Sequence, residues 1–252
     1  MIELKNVFFG YGSGDVLRDI SISFEKGSLT SIIGPNGCGK STLLKTSIGV
    51  LKHRSGEILL DGRSIKSLDR ISTARLAAYL PQGRAVPDMT VSQLVLHGRF
   101  PHTGYPRRYT SRDREAAASA METAGVSELA QMPISSLSGG MRQSAYIAMA
   151  LAQDTGYILL DEPTTYLDIR HQLELMRLLR TLADSGKGVV AVMHDLPMAF
   201  SFSDRLALMS GGRITALGSP SELCCGSAVK SVMGVGVIYE GGRYLYDYTG
   251  SL

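Results

Sequence analysis

The chain has 252 residues, of which 44% are hydrophobic, so it can bury a substantial core as one large α/β domain or as a core domain with a modest insertion. Its 26 basic and 23 acidic residues leave a formal net charge of +3. A charge this balanced does not indicate nucleic-acid binding, and we expect no nucleic-acid partner.

Cysteine usage and hydropathy indicate an intracellular location. The three cysteines, Cys38, Cys224 and Cys225, provide no disulfide framework, which favours a reduced, cytosolic environment. No charged-then-apolar leader precedes the segment MIELKNVFFG, and the apolar stretches are far too short to span a membrane. We therefore expect a chain that is soluble by itself.

The first elements in chain order are strands. The segments MIELKNVFF, VLRDISISF and SLTSII have strand-like composition and are separated by turn residues. A helix follows the glycine-rich segment at residues 34–40, and short strands and turns continue into the proline-punctuated segment AAYLPQGRAVPDMTV. This part of the chain predicts a β-rich region joined to the beginning of an α/β core.

A helical interruption separates the two parts of the predicted core. Residues 88–135 show helical patterns in TVSQLVLHG and SRDREAAASAMETAG and almost no β signal, so we interpret them as an inserted helical subdomain. The α/β pattern resumes with YILL, the long helix IRHQLELMRLLRTLADSG, the strand GVVAVM and the segment DRLALMSGGRITALG. The tail VIYEGGRYLYDYTG predicts a hairpin around Gly241 and Gly242. Residues 1–87 and 136–252 would then form the core and the β subdomain.

The segment GPNGCGKS at residues 34–41 matches G-x-x-x-x-G-K-[ST] between a strand and a helix, the context that a phosphate-binding P-loop requires. Its glycines allow backbone N–H groups to converge on phosphate oxygens, Lys40 is expected to pair only with phosphate, and Ser41 offers a hydroxyl to Mg²⁺. An ordinary glycine turn before a helix is the alternative. The backbone of Cys38 matters here, and its thiol has no catalytic role. The predicted nucleotide-binding residues of this loop are Asn36, Gly37, Cys38, Gly39, Lys40, Ser41 and Thr42.

Two acids end the apolar run YILLDEP, which predicts a parallel strand buried on both faces. Ligand crevices form at the carboxyl ends of such strands. We expect Asp161 to complete a Mg²⁺ site and Glu162 to orient or deprotonate the attacking water, with a helix cap after the strand as the alternative.

Histidines provide one further candidate. His194 ends the strand VVAVM, where it either contacts the γ-phosphate or the attacking water or is merely satisfied by local contacts. The other histidines have no metal-ligand spacing, and we expect them at the surface: His53, His97, His102 and His171.

A second glycine-rich helix start lies at residues 137–143, LSGGMRQ. Ser138 is the predicted N-cap, with Gly139 and Gly140 as the first two helical positions. The N–H groups at such a helix start form half of a phosphate site; a capped helix with a purely structural Ser-Gly-Gly is the alternative. The predicted apolar face of this helix holds Ala145, Ala148, Met149 and Ala152.

With the P-loop, LSGG, LLDEP and His194 in this order, the chain resembles the ATP-binding subunit of an ABC transporter over essentially all of its 252 residues. The resemblance implies an α/β fold: a P-loop NTPase core with a mostly parallel sheet, an N-terminal antiparallel β subdomain and an inserted helical subdomain. It also implies hydrolysis of ATP with Mg²⁺ in a head-to-tail homodimer. Each ATP would lie between one chain's P-loop and its partner's Ser138, Gly139 and Gly140.

Three further residues take roles from the resemblance alone. Tyr11 resembles the aromatic residue that stacks on adenine, with a β-turn tyrosine as the alternative. Gln82, in YLPQG, is similar to the loop glutamine that senses Mg²⁺ and the membrane partner. Asp168 ends the segment TTYLD, which resembles the loop that links the two sites of a dimer.

We call the P-loop the first cradle and the helix start at residues 137–143 the second cradle, and the second cradle departs from the family pattern. Family members usually carry glutamine or glutamate at the position of Met141. That residue would complete an S-x-x-[EQ] capping box with Ser138, which methionine cannot do. We expect a weaker helix start and an unchanged phosphate-facing surface.

The segments AYLPQ, TVSQLVLHGRFPH, ALAQDT and DEPTTYLDIRHQ resemble those of importers for iron–siderophore, haem and cobalamin complexes. This resemblance implies a separate polytopic membrane permease, an extracytoplasmic substrate-binding protein and a peripheral position at the cytoplasmic face of the cell membrane. A soluble non-transport ABC ATPase, such as a component of iron–sulfur cluster assembly, is the alternative function.

Arginines are concentrated in and near the inserted segment, with Asp113 as the only acid opposing them. Two interpretations stay open: contact with anionic lipid headgroups beside the docking site of a membrane subunit, or a solvated basic loop. The residues are Arg99, Arg107, Arg108, Arg112 and Arg114.

Overall fold

The computed structural model describes residues 1–12, 14–83, 86–224 and 226–247. Its strands are β1 (Ile2–Tyr11), β2 (Gly14–Phe24), β3 (Leu29–Ile33), β4 (Ser55–Leu60), β5 (Arg63–Ser64), β6 (Ala77–Leu80), β7 (Tyr157–Asp161), β8 (Gly188–Val192), β9 (Arg205–Ser210), β10 (Arg213–Gly218), β11 (Gly236–Glu240) and β12 (Arg243–Asp247). Its α-helices are α1 (Lys40–Ser47), α2 (Arg70–Leu76), α3 (Val91–His97), α4 (Ser111–Thr123), α5 (Gly139–Ala152), α6 (Ile169–Asp184), α7 (Leu196–Phe202), α8 (Pro220–Cys224) and α9 (Ala228–Met233). Cys225 and the end of the predicted tail hairpin, residues 248–250, lie outside the described residues.

Two sheets form the body of the fold. The N-terminal sheet has the order β2-β1-β4-β5 and is antiparallel throughout. The central sheet has the order β10-β9-β3-β8-β7-β6 and is parallel except at its edge, where β10 runs antiparallel to β9. A separate hairpin pairs β11 with β12. The predicted α/β class, with a mostly parallel central sheet and an antiparallel N-terminal sheet, is confirmed.

The middle of the central sheet is buried on both faces. Every residue of β3, β7 and β8 is buried. One core includes Leu4 and Ile22 of the N-terminal sheet and Leu43 of α1, and the other includes Leu94 of α3 and Met176 of α6. Parallel strands covered on both sides have continuous apolar sequences, which is why these strands were predictable.

The regular elements between β6 and β7 are all helices among the described residues, joined by loops, apart from an isolated bridge between Thr90 and Pro133. Helices α3 and α4 begin with complete capping boxes, formed by Thr90 with Gln93 and by Thr110 with Asp113. Both helices pack against α5. The division of the chain into subdomains stays a prediction. No helix among the described residues is long and apolar enough to cross a membrane.

Candidate active site

The P-loop joins the carboxyl end of β3 to the first turn of α1. Gly34 has a φ of 153°, and a Cβ at this position would lie 2.2 Å from the carbonyl oxygen of Met209. Gly39, the N-cap of α1, has a φ of 107° and provides no side-chain cap. The loop therefore follows a path that needs glycine, and it leaves N–H groups of the first helical turn for an anion.

Lys40 is buried at the start of α1, with 6% exposure. Its Nζ donates hydrogen bonds to the carbonyl oxygens of Gly34 at 2.7 Å and Pro35 at 3.0 Å. The expectation that Lys40 pairs only with phosphate is therefore wrong, because a buried ammonium needs acceptors and the loop itself supplies two. The neighbouring thiol of Cys38 is also buried, which raises its pKa and keeps it protonated.

Ser41 and Asp161 meet where α1 begins and β7 ends. The Ser41 hydroxyl donates to Asp161 Oδ1 at 2.8 Å, and the Tyr79 hydroxyl donates to Oδ2 of the same carboxylate at 3.1 Å. A hydroxyl and a carboxylate in contact are oxygen ligands of the kind that Mg²⁺ prefers, so the pair fits such an ion beside the P-loop. Sequence reasoning missed Tyr79: its only signal was a hydroxyl within the apolar strand β6.

Glu162 lies at the centre of a polar cluster that contains two other predicted residues. His194 Nε2 lies 2.6 Å from Glu162 Oε1. The other oxygen of Glu162 accepts hydrogen bonds from the Gln82 amide and from the Thr165 hydroxyl. Gln82 thus contacts Glu162, and its role toward Mg²⁺ stays a prediction. The φ of Glu162 is 51°, an unfavourable conformation for a residue other than glycine and one that is typical of functional sites.

The second cradle has the predicted helix start. Ser138 is the N-cap of α5, its hydroxyl accepts the N–H of Met141 at 3.3 Å, and Gly139 and Gly140 are the first two helical residues. Both Ser138 and Gly139 are exposed. On the apolar face, Ala145, Ala148 and Ala152 are buried, and Met149 is partly buried against the core.

Replacement of Met141 by glutamine should stabilise the nucleotide-free chain. The α3 and α4 boxes have a polar side chain at this position, whereas α5 has methionine, so Met141→Gln adds the missing bond to the N-cap N–H. We expect a gain of about 0.3–1.5 kcal/mol, or a Tm higher by about 1–5 °C in thermal unfolding. Met141→Leu is the matched control. ATP hydrolysis should stay unchanged, and a large loss would instead reveal a specific role for methionine.

Asp168 lies beside the second cradle. It is the N-cap of α6, accepts the N–H of His171 at 3.0 Å and lies 2.8 Å from Nδ1 of the same residue. A Cβ at Gly140 would lie 2.8 Å from the His171 ring, so the starts of α5 and α6 are in direct contact. His171 therefore connects Asp168 with the LSGG segment inside one protomer. Sequence reasoning missed this connection.

The cavity beside the second cradle does not extend to the P-loop. This cavity, of about 400 Å³, is lined by Gly139 together with Gln82 and Glu162, and the P-loop is not part of its lining.

Tyr11, on β1, is 61% exposed. Its ring meets Phe9 edge-on at 5.0 Å, which leaves much of the Tyr11 ring accessible.

Two expectations of surface exposure are wrong. His53 is 6% exposed, and burial lowers its pKa. Arg99 is also 6% exposed: its guanidinium donates to Asp113 at 3.0 Å and to the carbonyl oxygen of Ala152 at 2.9 Å. A charged side chain tolerates burial when it is paired in this way. His97 is exposed as expected, whereas His102 and His171 are half-buried.

The fold and this arrangement define a P-loop NTPase, with a phosphate loop after one strand and paired acids at the end of another. Sequence comparison gives the family: residues 17–165 match the profile described as ABC transporter. The chain belongs to this family and is an ABC-type ATPase.

Three known proteins show how far the similarity extends. The petrobactin import ATP-binding protein FpuD of Bacillus anthracis is 41% identical over 233 residues, which cover 92% of this chain and 85% of that protein. An ABC transporter of proposed metal-chelate type, solved in an inward-facing conformation, matches with a TM-score of 0.84 and 25% identity over 100% of this chain and 99% of its own. A dimeric ATP-binding cassette in a post-hydrolysis state with ADP and Pi matches with a TM-score of 0.75 and 28% identity, covering 87% of this chain and 99% of its own.

Proposed function

We propose that the chain powers import of a metal chelate, of the iron–siderophore, haem or cobalamin type, by hydrolysing ATP. The observation that carries this proposal is the relative named for petrobactin import, which aligns with 92% of the chain. The ATPase would act at the cytoplasmic face of the cell membrane, bound to separate polytopic permease subunits. An extracytoplasmic substrate-binding protein would deliver the chelate.

The P-loop holds the nucleotide phosphates in this proposal. Backbone N–H groups of the loop and of the first turn of α1 face the phosphate oxygens, and Lys40 turns from its carbonyl acceptors toward them. Tyr11 stacks its exposed ring on the adenine base. The loop residues assigned to this role are Asn36, Gly37, Cys38, Gly39, Lys40, Ser41 and Thr42.

The residues around β7 prepare the hydrolytic water. Ser41, Asp161 and Gln82 are the residues that would hold Mg²⁺, which when bound would neutralise phosphate charge. Glu162 orients the attacking water and accepts its proton. His194, 2.6 Å from Glu162 Oε1, holds that carboxylate in place and faces the γ-phosphate.

Tyr79 positions Asp161 for this role, because its hydroxyl donates to Oδ2. Tyr79→Phe should weaken ATP binding by about 3- to 10-fold when Mg²⁺ is present, the usual net value of one hydrogen bond. Binding in EDTA should not change. Calorimetry with and without Mg²⁺ measures the difference. Tyr157→Phe is the matched control, since Tyr157 also donates to an aspartate, Asp61, from another part of the sheet. Equal effects in EDTA and in Mg²⁺ would contradict a role of Tyr79 through the metal site.

A head-to-tail homodimer would complete each nucleotide site. In this arrangement, Ser138, Gly139 and Gly140 of one protomer face the γ-phosphate held by the P-loop of the other. The exposure of Ser138 and Gly139 suits this role, and the dimeric cassette described above supports it. Asp168, through His171, would link the two sites.

A groove of about 560 Å³ is the proposed docking site of the permease. It lies between the end of α1, helix α2 and strand β6, and Gln153 after α5 closes one side. Apolar side chains such as Ile65 and Leu68 line it, and Val50 at its rim is 60% exposed. An apolar groove with an exposed apolar rim suits a short amphipathic segment of a membrane protein.

Affinity capture from native membranes tests the transport function. The tagged wild-type chain should retain a polytopic membrane protein, and Val50→Asp should lose it while binding ATP normally. Ile238→Asp is the control, because Ile238 is an exposed apolar residue of the β11–β12 hairpin. Capture of soluble proteins only, under conditions where ATP binding is intact, would favour the non-transport ATPase.

A further inference from the structure

The loop between α3 and α4, together with the start of α4, exposes arginines and aromatic rings. We call Tyr105, Arg107, Arg108 and Arg112 the basic loop surface. All four residues are exposed, and Tyr105 is 100% exposed. Residues 98–112 contain no aspartate or glutamate, so nothing in this segment offsets the charge.

The nearest acid in the sequence, Asp113, already has hydrogen-bond and ion-pair partners of its own. It is buried and accepts hydrogen bonds from the Thr110 backbone N–H at 2.9 Å and from Arg99 Nε at 3.0 Å. The backbone bond from Thr110 is the largest cause that lowers the pKa of Asp113 to about 2, so this carboxylate is charged at neutral pH. Its charge is matched by buried Arg99. The three arginines of the basic loop surface form no ion pair with any described residue.

Among these arginines, Arg107 makes a cation–π contact within the loop. Arg112 is the second residue of α4, where the positive end of the helix dipole disfavours a cation. Arg107 lies over the exposed ring of Phe100, 4.2 Å from its centroid. A guanidinium stacked on a ring keeps its N–H donors at its edge, in a geometry that suits phosphate oxygens. The Phe100 contact accounts for Arg107 only in part, and no ion pair among the described residues accounts for any of the three arginines, whereas an external anion would.

We propose that the basic loop surface binds the headgroups of anionic phospholipids. Each basic residue near such a membrane strengthens binding by about fivefold, so three arginines together contribute roughly 100-fold. Amphipathic aromatic rings sit at the headgroup level of bilayers, which suits the fully exposed Tyr105. The basic charge and the exposed aromatic ring thus lie within eight consecutive residues, Tyr105 to Arg112.

The position of the loop favours a membrane over an acidic protein as its partner. Arg75 of α2 donates to the carbonyl oxygen of Pro101 at 2.8 Å, and His102 Nε2 lies 2.8 Å from the carbonyl oxygen of Gln153. Helix α2 and Gln153 both line the groove assigned to the permease. This step rests on the proposed function: a chain docked on a membrane protein through that groove brings the adjoining loop to the lipid surface.

A single tryptophan reports on the contact directly, because the chain contains none. Tyr105→Trp should show a blue-shifted, brighter emission with vesicles of equal parts phosphatidylcholine and phosphatidylglycerol, and no change with phosphatidylcholine alone. Added salt should reverse the shift. Flotation of the wild-type chain with the same vesicles checks the result without the tryptophan. Neither measurement needs ATP, a permease or a transported chelate, so failure of the proposed function would not affect them.

Charge-matched variants test the assignment of residues. In the Tyr105→Trp background, the combined change of Arg107, Arg108 and Arg112 to glutamine should weaken vesicle binding by roughly 100-fold. The same change at Arg63, Arg213 and Arg243, which are exposed on other elements, removes equal charge and should leave binding nearly unaltered. Unchanged ATP binding verifies the fold of both triple variants.

Two outcomes would overturn the proposal. One is vesicle binding that both triple variants lose equally, since this would reflect net charge alone. The other is an absence of vesicle binding by the wild-type chain, together with loss of permease capture in the Arg107, Arg108 and Arg112 variant. That result would assign the basic loop surface to an acidic protein partner.

Discussion

Glu162→Gln should lower ATP turnover by about 10²- to 10⁴-fold and leave ATP binding intact, because an amide cannot accept the proton that a general base removes from water. The cluster that holds the side chain should persist. Glutamine keeps a carbonyl oxygen that can accept from His194 or Gln82, and these two residues contact opposite oxygens of the carboxylate. The variant therefore separates chemistry from binding.

Phosphate release and calorimetry together measure this separation. Glu57→Gln, on an exposed position of β4, is the matched control and should hydrolyse ATP at the wild-type rate. Near-normal hydrolysis by Glu162→Gln would remove Glu162 from the role of base. His194→Ala should then be examined for the larger loss.

Lys40→Ala should weaken ATP binding by roughly 10²- to 10³-fold, the value of two or so hydrogen bonds made by a charged group. The buried ammonium holds two carbonyl oxygens of its own loop, so alanine removes both the charge and the donor that keeps those oxygens satisfied. Lys45→Ala, on the same helix, is the control. Calorimetry reports affinity, and cooperative thermal unfolding of both variants verifies that each is folded. Unchanged affinity in Lys40→Ala would refute the P-loop assignment.

Lys40→Ala, combined with a second variant, also tests whether the nucleotide sites are shared between protomers. Ser138→Arg blocks the exposed start of α5 and should be inactive alone, like Lys40→Ala. In a mixed head-to-tail dimer, one site receives both defects and the other receives neither. An equal mixture should therefore recover roughly a quarter of the wild-type sites. No recovery, despite heterodimers detected by differential tags, would count against shared sites.

Much of the fold was predictable because its signals are local. Strands β7 and β8 are covered on both faces, so β8 is apolar throughout and β7 is apolar up to Asp161. The P-loop and LSGG segments each combine a contiguous pattern with the start of a helix. The capping of α5 by Ser138 follows from adjacent residues alone. Such features depend on few neighbours, so one sequence is enough to reveal them.

The contacts that were missed join distant parts of the chain. Tyr79 reaches Asp161 only because β6 pairs with β7, and no periodicity in the sequence specifies that neighbour. Arg99 was expected to face lipid or solvent with the other arginines of its segment, but Asp113 and the carbonyl oxygen of Ala152 satisfy it inside the fold. Lys40 was misread for a different reason: its acceptors, Gly34 and Pro35, are near in sequence, but backbone carbonyls of a loop have no sequence signature.

The backbone conformation of Glu162 lowers the stability of the fold at the residue that the reaction needs. Its φ of 51° costs about 1–3 kcal/mol in a residue other than glycine, against a total folding stability of about 5–15 kcal/mol. A selection for heat resistance that ignores turnover should therefore favour glycine at this position, and its most thermostable products should be unable to hydrolyse ATP. Directed evolution of this chain therefore needs an activity screen at every round, because selection for stability alone would replace Glu162.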